Sequence, residues 1–230
     1  MSAEPLDRSA ISTEERQEGR AVRTRYPVMP AILDRWSPRS FDARQPDPAT
    51  LQSIFEAARL APSAHNSQPV RFVVGRKDHG DGFERLFSCL DPHNREWAHL
   101  APVLILGAVT RKRFNQARGE LVPYPHCMHD LGLAVMSLII QAQQLGLYCH
   151  PMAAFDPDKA QSMFDIPELF LPGIMIAAGY AGSADALPAG LREIELSRRL
   201  RRPLEETVFE DAWGEASPLF AGAGNQGSQG

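Results

Sequence analysis

The run "APVLILGAV", residues 101–109, constrains the fold more than any other stretch of the chain. It is apolar from end to end, aliphatic and β-branched, and of strand length, far short of the ~20 residues that span a membrane. A chain that carries it must build a sheet with this segment at the centre. "VRFVV" (70–74) predicts a second central strand, and "GIMIAAGY" (173–180) a last core strand.

Helices fill the intervals. Asp47 followed by Pro48 predicts an N-cap and first turn, and Leu51, Ile54, Phe55 and Ala58 then recur at helical spacing until Pro62 forces an end. From 129 to 147 the apolar residues Leu131, Leu133, Ala134, Val135, Leu138, Ile139, Ala142 and Leu145 cover more than a stripe. That helix is expected to be buried on most sides, with Gly146 marking its end. A short helix is predicted over 158–164. Helices and strands alternate without an internal repeat, so the fold class is α/β or α+β.

A chain of 230 residues, 43% hydrophobic and 23% charged, suffices for one ordinary globular domain. Residues 1–25 lack apolar periodicity and predict a flexible N-terminal arm, or one ordered by a partner subunit; 26–213 would be the domain, and 214–230 a disordered low-complexity tail. The formal charge of −4 argues against nucleic acid or an anionic membrane as partner and leaves a small molecule. No apolar run is long enough for a membrane span, and the first residues lack the core of a secretory signal, so the expected location is the cytoplasm. Cys89, Cys127 and Cys149 are odd in number and form no CxxC pair, which predicts reduced thiols.

Where a ligand would sit is less direct. Neither GxGxxG nor GxxxxGK[ST] is present, so a bound phosphate must be held by arginine. Two clusters qualify: Arg35, Ser37 and Arg39 in "DRWSPRSF", and Arg198, Arg199, Arg201 and Arg202 in "SRRLRRPL". Alternate residues of an extended segment point the same way, so the first three can present two guanidinium forks and a hydroxyl to one anion. Solvated surface charge is the competing reading. The joint "APSAHNSQP" between a core helix and a core strand is unusually polar; a helix C-cap and turn using Asn and Ser for local backbone bonds is the ordinary explanation. "HCMHD" places His126 and Asp130 on one helical face, but His129 and Asp130 do not converge and no zinc spacing appears, so no metal is expected.

"RWSPRSF", "EAARLAPSAHNSQP", "APVLILGAV", the helix beginning "HDLGLA", the loop "HPMAAFD" and the closing "RRLRRPLEETV", in that order and spacing, resemble the FMN-dependent nitroreductase family over residues 30 to 210. The resemblance implies an α+β sandwich, a mainly antiparallel sheet flanked by helices, assembled as an intertwined homodimer with FMN at the subunit interface. It implies that Arg35, Ser37 and Arg39 bind the FMN phosphate and ribityl chain, and that Arg199 and Arg201 complete the phosphate site, a slip to Arg198 or Arg202 being the alternative register. Ser63, Ala64, Asn66 and Ser67 would lie at the flavin and subunit boundary, and Asn94 would reach the flavin.

The loop holding Ala153 and Ala154 corresponds to the family's segment whose backbone N–H meets flavin N5, often Glu-Gly or Gly-Gly. Alanine serves there if its φ is negative. Val70 is a second departure, where the family commonly has Trp. The implied chemistry is hydride transfer from NADH or NADPH through FMN, in a ping-pong cycle, to a small electrophile such as a nitroaromatic, quinone or enal, with no side chain as catalytic base. The pocket for that acceptor would include His65, or His65 is a structural histidine bonded to backbone. The insert 110–127, with Phe114 and Tyr124, would be a lid or an ordinary exposed connection. A flavin-storing protein with little turnover is the alternative function, for which Ala153 and Ala154 are the sequence hint.

Overall fold

The computed structural model describes residues 24–197 and 199–220. They divide into a large unit, 30–195, and a small one to which 24–29 and 196–220 belong. In chain order the elements are α1 (Pro30–Leu33), α2 (Pro48–Arg59), β1 (Val70–Arg76), α3 (Gly82–Ser88), α4 (Pro92–Ala98), β2 (Val103–Thr110), β3 (Lys112–Asn115), β4 (Glu120–Pro123), α5 (Cys127–Gln144), β5 (Tyr148–Met152), α6 (Pro157–Met163), β6 (Phe170–Gly179) and α7 (Ala189–Leu196).

Strand β2 is apolar and buried from Val103 to Val109 because both of its faces are covered. Val103, Ile105 and Val109 pack on one side with Ile54 of α2 and with Leu131, Leu138 and Ile139 of α5. Leu104 and Leu106 point the other way, to Phe83 and Leu86 of α3, Trp97 of α4 and Ala160 of α6. The two-residue period of a strand thus feeds two cores. Each fully buried aliphatic side chain contributes roughly 2 kcal/mol by leaving water.

The sheet order is β1-β2-β6-β5, with every neighbouring pair antiparallel. This is the mainly antiparallel α+β sandwich that the resemblance implied. Strand β1, expected to be central, lies at an edge of this sheet. Its pattern explains the difference: Arg71 is exposed and only Gly75 is buried, so the strand never had two apolar faces. Gly75 is there because an added Cβ would come within 2.6 Å of the Gly82 backbone, where α3 crosses the strand.

The capped helix over 48–59 is as expected, with Asp47 Oδ1 accepting from the Thr50 N–H at 2.8 Å. Helix α5 runs 127–144 and is left through Gly146 at φ 76°. Three elements carry no clear sequence signal: α3, α4 and β5, the last because His150 and Pro151 interrupt its apolar pattern. The first residues of the expected loop "HPMAAFD" belong to this strand, which pairs Tyr148 with Gly179 and Met152 with Met175. The insert 110–127 is not irregular: β3 and β4 form a separate hairpin.

Of the small unit, Arg25 pairs with Glu205 at 2.5 Å, Tyr26 meets the edge of Phe220, and Phe209 bridges to Ala216. Residues 214–220, expected in the tail, include this bridge partner and a short turn at Pro218–Phe220. The remainder of the expected arm and tail lies outside the described residues. Among the described residues no helix is long and apolar enough to cross a membrane.

Candidate functional site

Helix α4 and the end of β5 bring predicted residues together. Asn94, 9% exposed, sits in the first turn of α4, whose cap is Asp91. Its Nδ2 donates to the Ala154 carbonyl at 3.0 Å, and the Asp91 N–H reaches the same oxygen at 3.4 Å. Ala153 and Ala154 are exposed, and neither is among the residues with positive φ. The backbone there does not require glycine.

One turn further along α4, Trp97 stacks on His150 of β5 with ring centroids 4.3 Å apart. His150 Nδ1 is 2.9 Å from the Pro38 carbonyl, so that nitrogen carries the proton and donates. Burial pulls the His150 pKa down to about 4, helped by the Arg39 charge and opposed by the Pro38 hydrogen bond. The imidazole is therefore neutral at pH 7.

This contact leads to the first arginine cluster. Arg35 Nη1 lies 3.4 Å from Ser37 Oγ, as expected for alternate residues of an extended segment, while Trp36 turns away to the edge of Tyr148. Arg39 is half-buried, and its Nε is buried without a hydrogen-bond partner among the described residues. Its backbone N–H is taken by Glu195 of α7, at 3.0 and 3.3 Å to the two carboxylate oxygens. Arg199 and Arg201 belong to the small unit; Arg199 is partly buried and Arg201 exposed. Arg198, the alternative register, lies outside the described residues.

The polar joint at 61–69 forms a second assembly. His65, Asn66 and Gln68 take left-handed φ values of 56°, 51° and 47°, a cluster of uncommon conformations. The segment is held by Asp130, 1% exposed, whose Oδ2 accepts from the Ala64 N–H at 3.0 Å and from the Tyr124 hydroxyl. Ser67 Oγ donates to Tyr124 Oη at 2.9 Å, and Ser63 Oγ accepts from the Gln68 N–H at 3.0 Å. Burial raises the Asp130 pKa, but hydrogen bonds from Tyr124, His129 and Ala64 outweigh it and hold the carboxyl below its ordinary value.

Tyr124, expected in the acceptor pocket on a lid or an exposed connection, is 2% exposed and braces this joint; Phe114, 60% exposed, is the hairpin's outward aromatic. His65 is exposed. His129 does meet Asp130, Nδ1 to Oδ1 at 3.0 Å, contrary to the expectation that the two do not converge, because neighbouring side chains in a first helical turn can bend to each other. Cys89 and Cys149 are buried and Cys127 partly so, all three free; burial pushes the Cys149 thiol up to about 12.

Sequence reasoning passed over Asp130, His150 and Glu195 as structural groups. The signal for Glu195 was available: with Leu191 it occupies the buried i, i+4 face of α7, where a charge must have partners.

The chain is an antiparallel α+β sandwich whose arginine-bearing segment 35–39 is held against His150 of β5 through the Pro38 carbonyl. A sequence model of the nitroreductase family matches residues 32–90 and 82–180. A Stutzerimonas stutzeri protein, provisionally named NADH dehydrogenase/NAD(P)H nitroreductase, is 30% identical over 64% of this chain and 82% of its own length. A solved oxidoreductase containing FMN superposes with a TM-score of 0.78 at 36% identity, covering 84% of this chain and 96% of that one. A nitroreductase family protein from Clostridium difficile shares the fold at a TM-score of 0.62 and 23% identity, over 79% of this chain and 96% of that one. The chain belongs to the nitroreductase family.

Proposed function

We propose that the protein is an FMN-dependent oxidoreductase that uses NADH or NADPH to reduce a small electrophile. Arg39 carries this reading. A buried guanidinium N–H with no protein acceptor among the described residues costs about 1–3 kcal/mol, and an anion beside Arg35 and Ser37 would remove that cost. The residues present therefore fit the phosphate of FMN. The names of the Stutzerimonas relative and of the FMN-containing neighbour support the same cofactor and donor.

When bound, FMN would accept a hydride at N5 from the nicotinamide and pass it, in a second half-reaction, to a nitroaromatic, quinone or enal. Arg35, Ser37 and Arg39 would hold the phosphate and ribityl chain. The backbone N–H groups at Ala153 and Ala154 would face the reactive edge, fixed through the Asn94 bond to the Ala154 carbonyl. Ser63, Asn66 and Ser67 would border the flavin at the interface of a homodimer, with His65 and Phe114 facing the acceptor.

The absorbance of the purified protein tests the reading. Oxidised-flavin bands, FMN released on denaturation at about one per chain, and NAD(P)H oxidation that depends on added quinone are expected. A colourless protein that takes up no added FMN would overturn it. Bound FMN without acceptor-dependent turnover would instead indicate a flavin store.

A further inference from the structure

The extended segment that carries Arg35, Ser37 and Arg39 has spent its own backbone. Glu195, 4% exposed, accepts from the Arg39 N–H at 3.0 and 3.3 Å and from the Ser40 N–H at 3.4 Å. On the other side the Pro38 carbonyl accepts from His150 Nδ1 at 2.9 Å, and His150 is fixed by its stack on Trp97. Ser40 is fully buried, its hydroxyl donating to the Ser183 carbonyl at 2.5 Å. The N–H groups of Arg39 and Ser40 are thus committed to Glu195 rather than to an anion. Recognition falls to side chains, and their direction depends on the backbone being held.

The geometry points to Glu195 as a positioning residue, acting with His150 as a two-sided clamp on Pro38–Ser40 that aims the Arg39 guanidinium at the cofactor's phosphate. This inference rests on the reading of Arg35, Ser37 and Arg39 as the phosphate site. A carboxylate near a phosphate site has the ligand's own sign of charge, and what it does on this segment is hold two backbone donors by charge-assisted hydrogen bonds. Replacing it by an amide leaves at least one buried N–H facing an NH2 group, and the segment shifts.

The test compares FMN with riboflavin, which lacks the phosphate, by fluorescence titration of the full chain freed of flavin. Glu195→Gln is expected to weaken FMN about tenfold or more while leaving riboflavin within about twofold. Equal weakening of both ligands, or no change in either, would overturn the clamp. Arg39→Ala serves as the reference for the underlying reading. If it leaves the FMN-to-riboflavin ratio unchanged, the phosphate assignment itself fails; if it collapses the ratio and Glu195→Gln does not, only the clamp fails. Should Glu195→Gln not fold, His150→Leu, which loses the Pro38 bond but keeps an apolar filler, reads the same ratio, and an unaltered ratio there also overturns the proposal.

Discussion

The Tyr124 hydroxyl donates to the buried carboxylate of Asp130, joining the end of the β3–β4 hairpin connection to the first turn of α5. That one bond explains the polar joint at 61–69. Asp130 also takes the Ala64 N–H, and Tyr124 also takes Ser67, so a segment with three left-handed non-glycine residues is held from outside itself. Strained conformations persist only where their surroundings impose them.

Removing the carboxylate should therefore be costly. Asp130→Ala leaves the Ala64 N–H without its acceptor and the Tyr124 hydroxyl with only the Ala64 carbonyl at 3.3 Å to donate to, an expected loss of about 2 kcal/mol in urea unfolding. The folded pKa lies below the unfolded one, so this stability is complete above the unfolded value of about 3.9 and disappears as pH falls through the folded value. The gap between wild type and variant is expected to narrow below about pH 4. A loss under about 0.5 kcal/mol at pH 7 would refute the bracing role.

His150 titrates in a different window. Its folded pKa of about 4 lies below the ordinary histidine value, so between the two the unfolded chain binds the extra proton. Stability should fall by about 3 kcal/mol as pH drops from about 6.5 to about 4 and then level off from this source. His150→Phe keeps a ring against Trp97 and should flatten that part of the profile. Identical slopes in the two proteins would show that His150 is not buried neutral.

How much of this was legible in the sequence follows from which interactions are local. β2, α2 and α5 could be read because a strand or helix buried on most sides must be apolar residue by residue. The edge position of β1 was written in the exposure-prone Arg71, which a count of its valines overrides. Arg35 and Ser37 meet because alternation is a property of three consecutive residues. Asp130 with Ala64, Glu195 with Arg39 and His150 with Pro38 lie 66, 156 and 112 residues apart in sequence, and each looks like an ordinary polar residue until tertiary structure brings the pair together. Their common mark is a charged or polar side chain on an otherwise apolar face.

The Asn94 bond to Ala154 can be tested against turnover. Asn94→Ala removes the 3.0 Å donor and leaves the longer Asp91 N–H as partner for that carbonyl. Stability should drop by about 1 kcal/mol. If the Ala153–Ala154 backbone faces the reactive edge of the flavin, kcat for quinone-dependent NAD(P)H oxidation should fall about tenfold through misplacement alone. An unchanged kcat with FMN fully bound would remove Asn94 from the site.

Position 65 separates strain from side-chain function. His65 has φ 56° and ψ 25°, where an L-residue pays about 1–2 kcal/mol relative to the right-handed region. His65→Gly should be neutral or stabilising by up to about 1 kcal/mol, and His65→Val destabilising by about 1–2 kcal/mol, in thermal or urea unfolding. Equal stability of the two variants would mean that the backbone relaxes and stores nothing.

Phe114 and Leu121 pair across the β3–β4 hairpin and are 60% and 53% exposed, so an apolar pair stands on one outward face. Neither is in either core cluster, and Phe114→Ser should change stability by less than about 0.5 kcal/mol. A hairpin that covers the acceptor would lose apolar contact with it, raising KM for an aromatic acceptor about threefold or more while kcat and the KM for NAD(P)H stay put. If KM for both a bulky aromatic and a small quinone is unaltered, the hairpin is an exposed connection, and acceptor choice must come from residues nearer the pinned loop at Ala153 and Ala154.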